Sequence, residues 1–166
     1  MKTISVARLR EVLNYDPETG IFTWKVRLCL STHVGDVAGC KNAQGYYRIG
    51  IDGTSLRAHR AAIAYVEGKP PVAQVDHING NRLDNRYCNL RHATQPENCQ
   101  NRGVSGNNTS GYTGVYFEKD NGRWRARISL NGARLLHLGT FDTPEEASAA
   151  YLAAKAQLHT FQPTQR

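Results

Sequence analysis

An α+β protein made of two small units is the fold this sequence predicts, and three observations predict it. Short runs of alternating apolar and polar residues, broken by turn pairs such as Asp52-Gly53, read as antiparallel strands. Brief stretches with apolar residues at helical spacing stand between them. A run poor in apolar groups, GVSGNNTSG ahead of Tyr112, separates two segments of different character, and 166 residues leave room for one ordinary domain or two small ones.

The chain opens with a short helix, for which Ser5 is a suitable cap; Val6, Leu9, Val12 and Leu13 form one face and DPETG ends it. IFTWKV follows as a strand. After the Gly-punctuated GDVAG loop, YYRIGI and TSLRA flank Asp52-Gly53 as a hairpin. AHRAAIAYVEG is helical, with Ala62, Ile63 and Val66 as its apolar stripe, until Lys69-Pro70-Pro71 stops it. VAQVDH is β-branched enough for a strand, INGN turns, and LRHA returns. Thr94 and Glu97 then stand in capping-box spacing around Pro96, so a helix begins there with Asn98 in its first turn. Strand, loop, strand and helix make a small ββα unit.

Beyond the Gly-rich run, TGVYFEK, RWRARISL and RLLHLGTF read as three strands joined at DNG and NG. Thr143 as cap, Pro144 at the first position and Glu146 three past the cap start a closing helix, with Ala147, Ala150, Tyr151, Ala154 and Leu158 along one face. The expected organisation is a domain over 1–102, a linker over 103–111 and a second domain over 112–161.

A formal net charge of +7 and a pI near 9.4 suit a polyanionic partner, because each Lys or Arg that neutralises a phosphate releases counterions. No stretch approaches the apolar length of a membrane span. Arg8, Arg10 and Glu11 sit where a secretory signal needs an apolar run, so the protein is expected in the cytosol. The four cysteines, Cys29, Cys40, Cys88 and Cys99, never approach closer than eleven positions, unlike the tight pairs that open zinc knuckles. Free and mostly buried thiols, with no structural zinc, are the expectation.

The stretch VDHINGNRLDNRYCNLRHATQPEN, Val75 to Asn98, carries the chemistry. It holds an Asp-His pair, an Asn twelve positions after the His, and another Asn nine further on. Asp76 and Asn98 offer hard oxygen donors to a divalent cation, and the His77 imidazole suits a general base near neutral pH. A phosphodiester needs a water positioned and deprotonated, with charge stabilised on the departing oxygen. One carboxylate and one amide oxygen leave most positions of Mg²⁺ free, Mn²⁺ substitutes, and Zn²⁺ fits less well because it favours nitrogen and sulfur.

With its lead-in GYYRIGIDGTSLRAHRAAIAY, the DHINGN turn, the NRYCNL return and the ENCQN helix, the segment 46–98 resembles the HNH homing-endonuclease family of phages and self-splicing introns; DPETGIFTWK also looks like the start of such phage proteins. The resemblance implies a ββα-metal HNH nuclease domain. It makes Asp76 the first metal ligand, His77 the general base, Asn89 the brace for the loop carrying His77, and Asn98 the second ligand. The third letter of the motif is Asn here, a substitution that occurs within the family. His92 is read either as a packing imidazole or as a stray ligand, with packing favoured. Arg60 either holds a phosphate or is structural, and His59 either packs behind the site or is structural.

Residues 112–159, with YTGVYF, GRWRARI, LGTFDTPEEA and AAY, resemble the AP-two domain of plant ethylene-responsive factors, which also occurs fused to phage and bacterial HNH nucleases. That resemblance implies a three-stranded antiparallel sheet packed on one helix, with the sheet in the major groove. Strand alternation turns Val115, Phe117, Trp124, Ala126, Ile128, Leu136 and Leu138 toward the helix. It leaves Tyr116, Glu118, Arg123, Arg125, Arg127 and His137 outside. Arginines at alternate positions of one strand repel unless they meet an anion, and guanidinium forks onto guanine edges and phosphates. Tyr116 and Glu118 stand where the plant domains carry arginine, and His137 where they carry tryptophan. Glu118 either accepts from a cytosine amino group or pairs with a neighbouring arginine.

The expected function is a homing-type HNH endonuclease, phage-encoded or bacterial, that cuts double-stranded DNA with Mg²⁺ or Mn²⁺ as a monomer. Its second domain tethers the site near its target. The rivals are a non-catalytic DNA-binding regulator retaining the HNH fold and a nuclease acting on structured RNA.

Overall fold

The computed structural model describes residues 4–101, 104, 107–130 and 134–159. It divides into two compact units, Met1–Ala93 and Thr94–Arg166. Parts of the sequence-expected linker, residues 103, 105 and 106, and the end of the second domain at 160–161 lie outside the described residues. No helix among those described is long and apolar enough to cross a membrane.

In the first unit, helix α1 (Val6–Val12) starts at Ser5, whose Oγ accepts from the Arg8 amide at 3.1 Å. The chain then passes directly into strand β1 (Leu13–Asp16), which pairs antiparallel with β2 (Ile21–Trp24). The sequence reading had no strand ahead of DPETG; pairing with β2 buries Leu13 and Tyr15 and overrides the helical pattern. A three-stranded sheet follows in the order β3 (Cys40–Lys41), β4 (Tyr47–Ile51), β5 (Thr54–Arg57), with Asp52 at φ 47° and Gly53 at φ 74° making the expected tight turn. Helix α2 (Ala58–Glu67) ends at left-handed Gly68, and Arg10 donates to the Tyr65 carbonyl at its C-terminal end. Strands β6 (Gln74–His77) and β7 (Leu90–Ala93) pair antiparallel after a short 3₁₀ turn over Tyr87–Asn89.

Leu13, Ile49, Ile51, Ile63 and Val12 are almost fully buried and knit these pieces into one core. Each such side chain contributes about 1.5–3 kcal/mol. The DPETG turn is also fitted to the loop after β6. Gly20, at φ 74°, lies so close to the Asn85–Arg86 backbone that any side chain would collide with it. The Tyr87 amide donates to the Pro17 carbonyl at 3.1 Å, and the Tyr15 hydroxyl to the Asn85 carbonyl at 2.7 Å.

In the second unit, α3 (Gln95–Gln100) opens with a complete capping box between Thr94 and Glu97. Strands β8 (Val115–Glu118), β9 (Arg123–Leu130) and β10 (Arg134–Phe141) form an antiparallel sheet in the order β10-β9-β8, packed against α4 (Pro144–Leu158). Val115, Ala126, Ile128, Ala147 and Tyr151 are buried at its centre. The helix buries the row Ala147, Tyr151, Lys155, whereas Leu158, expected on that face, is exposed. Phe117 departs similarly: it is 46% exposed and rests beside Trp124, with ring centroids 5.1 Å apart.

Two further expectations fail. All four cysteines are free but exposed. His92 does not pack in the core. Its Nε2 pairs with Glu67 Oε1 at 2.7 Å on the surface, because the β7 register turns it away from the core.

Candidate active site and nucleic-acid interface

Strand β6 ends in two buried polar residues, Asp76 and His77, on a chain segment whose pairing with β7 fixes both. Asp76 lies opposite Arg91 in the ladder, and its Oδ2 accepts from Arg91 Nε at 3.0 Å and Nη2 at 2.9 Å. His77 is 5% exposed, with Nε2 3.3 Å from Asn85 Oδ1. The Asn85 amide nitrogen donates to the Leu83 carbonyl at 3.2 Å, so its oxygen faces the imidazole, which suits a neutral ring protonated on Nε2.

Burial pushes the His77 pKa down; the Asn85 hydrogen bond and then the Asp76 and Asp84 charges oppose that without reversing it. The ring is therefore neutral near pH 7 and able to take a proton. His59, on α2, stands edge-on to His77 with centroids 4.9 Å apart. Its own pKa falls to about 3, through burial first and the neighbouring His77, Arg57 and Arg60 next. Tyr46 completes the aromatic wall, 5.3 Å from His59 and 6.2 Å from His77.

The loop after His77 is held by Asn89. Its Oδ1 accepts from the Asn79 amide at 3.0 Å, while its Nδ2 donates to Asn79 Oδ1 at 3.0 Å and to the Asp84 carbonyl at 2.8 Å. Asn79 Nδ2 in turn donates to Asp84 Oδ2 at 2.8 Å. The Asp84 pKa drops to about 2 because Arg86 forks onto its carboxylate. These bonds link the two ends of the loop, so His77 sits on a tied hairpin instead of a loose connection. Arg60 donates Nη1 to the Ala73 carbonyl at 2.8 Å and Nη2 to that of Pro71 at 2.7 Å, bracing the segment between α2 and β6.

Asp76, His77 and Asn89 thus stand together in the first unit. Asn98 lies on α3 in the second unit, its amide donating to the Thr94 carbonyl at 3.0 Å. Among the described residues, no three or more His, Cys, Asp and Glu side chains gather in a metal-holding group. Sequence reasoning missed Asn79, Asp84, Asn85 and Arg91. The spacing LDNR following INGN was the available signal for the first three, and the β6–β7 register is what exposes the fourth.

On the second unit's sheet, Tyr116, Arg125, Arg127, Leu135 and His137 line a shallow concavity of about 260 Å³. Tyr116 faces Arg125 across the ladder and His137 faces Arg127. The Arg127 guanidinium lies over the Tyr116 ring, 4.4 Å from its centroid. Glu118 pairs with Arg125, the second of the two roles weighed for it, and leaves Arg125 Nε buried without a hydrogen-bond partner. Arg123 pairs with Asp142 at 2.9 Å. Leu135, 59% exposed, went unnoticed in the sequence because its neighbour Leu136 carries the inward parity.

Comparison with known proteins gives two family matches: residues 56–100 fit the model for HNH endonuclease and residues 110–159 that for the AP2 domain. A 63-residue stretch is 38% identical to Protein 3.8 of Escherichia phage T7, covering 38% of this chain and 52% of that protein. A 43-residue stretch is 54% identical to the ethylene-responsive transcription factor WRI1 of Arabidopsis thaliana, covering 25% of this chain and 10% of that protein. The chain thus spans about half the length of the phage relative and a tenth of the plant one. Among solved structures, a chain from the work on DNA binding and cleavage by the HNH homing endonuclease I-HmuI is 26% identical, with a TM-score of 0.44 over 61% of this chain and 57% of that one.

Proposed function

Because the chain carries an HNH endonuclease domain followed by an AP2 domain, we propose that it hydrolyses phosphodiester bonds in double-stranded DNA, directed to its site by the sheet of the second unit. The observation that carries this reading is the buried, neutral His77 at the end of β6, on a loop tied down by Asn89. His77 takes the proton from the attacking water, Asn89 keeps its loop in place, and Asn85 orients the ring.

Asp76 is the proposed carboxylate ligand of a divalent cation, and Asn98 keeps from its spacing in the sequence the role of amide-oxygen ligand. Two hard oxygen donors suit Mg²⁺, with Mn²⁺ as substitute. The bound ion would supply charge stabilisation for the phosphoryl and leaving oxygens. Arg91 Nη2 pairs with the Asp76 carboxylate at 2.9 Å and offsets part of its charge. Tyr116, Arg123, Arg125, Arg127 and His137 are proposed to meet the duplex, Arg125 and Arg127 reading base edges or phosphates. The reading takes the nuclease domain over 1–102 and the AP2 domain over 112–161. It makes the protein a homing-type monomer acting in the cytosol of a bacterium or phage-infected host.

A second reading, a DNA-binding regulator without cleavage, draws on the Asp76–Arg91 pair, since a guanidinium there competes with a cation for the same oxygen. A plasmid cleavage assay with Mg²⁺ separates the two, comparing the parent with His77→Ala and Asn98→Ala. Cutting by the parent, lost in both variants while DNA binding persists, supports the nuclease. Intact plasmid across all divalent ions supports the regulator.

A further inference from the structure

Beside the His77 wall the first unit carries cations that the nuclease reading leaves unused. The guanidiniums of Arg57 and Arg82 both lie over the Tyr46 ring, 5.5 and 4.9 Å from its centroid. Arg82 is further fixed by donating Nη1 to the Gln44 carbonyl at 3.0 Å. Arg57 ends β5 directly opposite Arg48 of β4, and both are exposed. Among the described residues, no carboxylate lies within ion-pairing distance of Arg48, Arg57 or Arg82.

Like charges opposed across a ladder cost stability unless an anion joins them. Stacking on an aromatic face also holds a guanidinium flat and pre-oriented, so that little rotamer freedom remains to be lost when it forks onto a phosphate. An uncompensated, pre-ordered cation group whose ring platform stands 6.2 Å from His77 has one fitting occupant of stated chemistry, the sugar-phosphate backbone of a DNA strand. We propose that Arg57 and Arg82, ordered by Tyr46, clamp backbone phosphates flanking the bond presented to His77, with Arg48 adding to the field. This deepens the nuclease reading and rests on it for the identity of the strand. The two arginines are positioning residues: they fix the register of the strand and do not touch the reacting atoms.

The test measures binding of a mixed-sequence duplex oligonucleotide to the full chain in a His77→Ala background, which prevents cutting during titration. Affinity is followed against salt for that protein, for the double variant Arg57→Gln/Arg82→Gln, and for Arg57→Lys/Arg82→Lys. Loss of two phosphate contacts lowers the slope of log K against log salt by about 1.8 in the glutamine variant. Lysine, keeping both charges, restores most of that slope. An unchanged slope in the glutamine variant overturns the clamp, as does an equal fall in both variants, which would assign the arginines to packing. Cleavage by the parent with Mg²⁺ is read separately. A parent that never cuts but shows the expected slopes removes the nuclease reading and leaves the clamp standing.

Discussion

Asn89→Asp is the substitution that most directly tests how His77 is held. It keeps the side-chain shape and the oxygen that accepts from the Asn79 amide, but replaces Nδ2, donor to Asn79 Oδ1 and the Asp84 carbonyl, with a second acceptor. Asn89 is 6% exposed, so the new oxygen is itself buried and set against both former acceptors. Two lost hydrogen bonds and the desolvation of the new buried oxygen together cost about 3 kcal/mol. In a unit of this size that lowers the melting temperature by roughly 12–24 °C. Urea denaturation of parent and variant at pH 7, followed by tryptophan fluorescence, reads the difference. Burial raises the new carboxyl's pKa above its unfolded value, so the penalty is full above the folded pKa and shrinks as acid restores a donor. The cleavage rate falls as well, on the order of 10²-fold for a displacement of the base by about 1 Å. A stability loss below about 0.5 kcal/mol, or a gap that stays constant on acidification, would refute the bracing role.

Three other outcomes are expected. His59, buried and held at a pKa of about 3, must be neutral in the fold. The stability it contributes is therefore complete above its unfolded pKa and declines as pH falls below about 6.5, by about 3 kcal/mol at pH 4; His59→Phe should flatten that limb in denaturation curves taken across pH. Arg125→Ala should weaken duplex binding by about 10- to 100-fold in an anisotropy titration at fixed salt, and full affinity in the variant would remove Arg125 from the interface. Chelation by EDTA should abolish plasmid cleavage while leaving duplex binding by the second unit largely intact, with Mg²⁺ or Mn²⁺ restoring cutting; cleavage that survives EDTA would contradict the cation's role.

Local chemistry that acts within a few residues could be read from the chain. The Ser5, Thr94 and Thr143 caps, the Asp52-Gly53 turn and the strand, turn and return around His77 all depend on neighbours in sequence. What depended on register could not. Leu13 continues a helical stripe until pairing with β2 claims it as a strand. The Asp76–Arg91 pair exists because the ladder sets those residues opposite each other, and nothing in either segment alone announces it. In β10 the irregularity between His137 and Gly139 shifts the alternation, so Thr140 rather than Gly139 falls opposite Arg125. Asn79, Asp84 and Asn85 look in sequence like any turn-rich polar run; their importance lies in who accepts from whom.

The boundary between the two compact units, between Ala93 and Thr94, lies ahead of α3. A fragment ending at Ala93 would hold Asp76, His77 and Asn89 but lack Asn98, whose amide oxygen is the second ligand proposed for the cation. Dissection of this protein into working parts should therefore keep residues through Gln100 with the front half, even though compactness alone recommends an earlier stop.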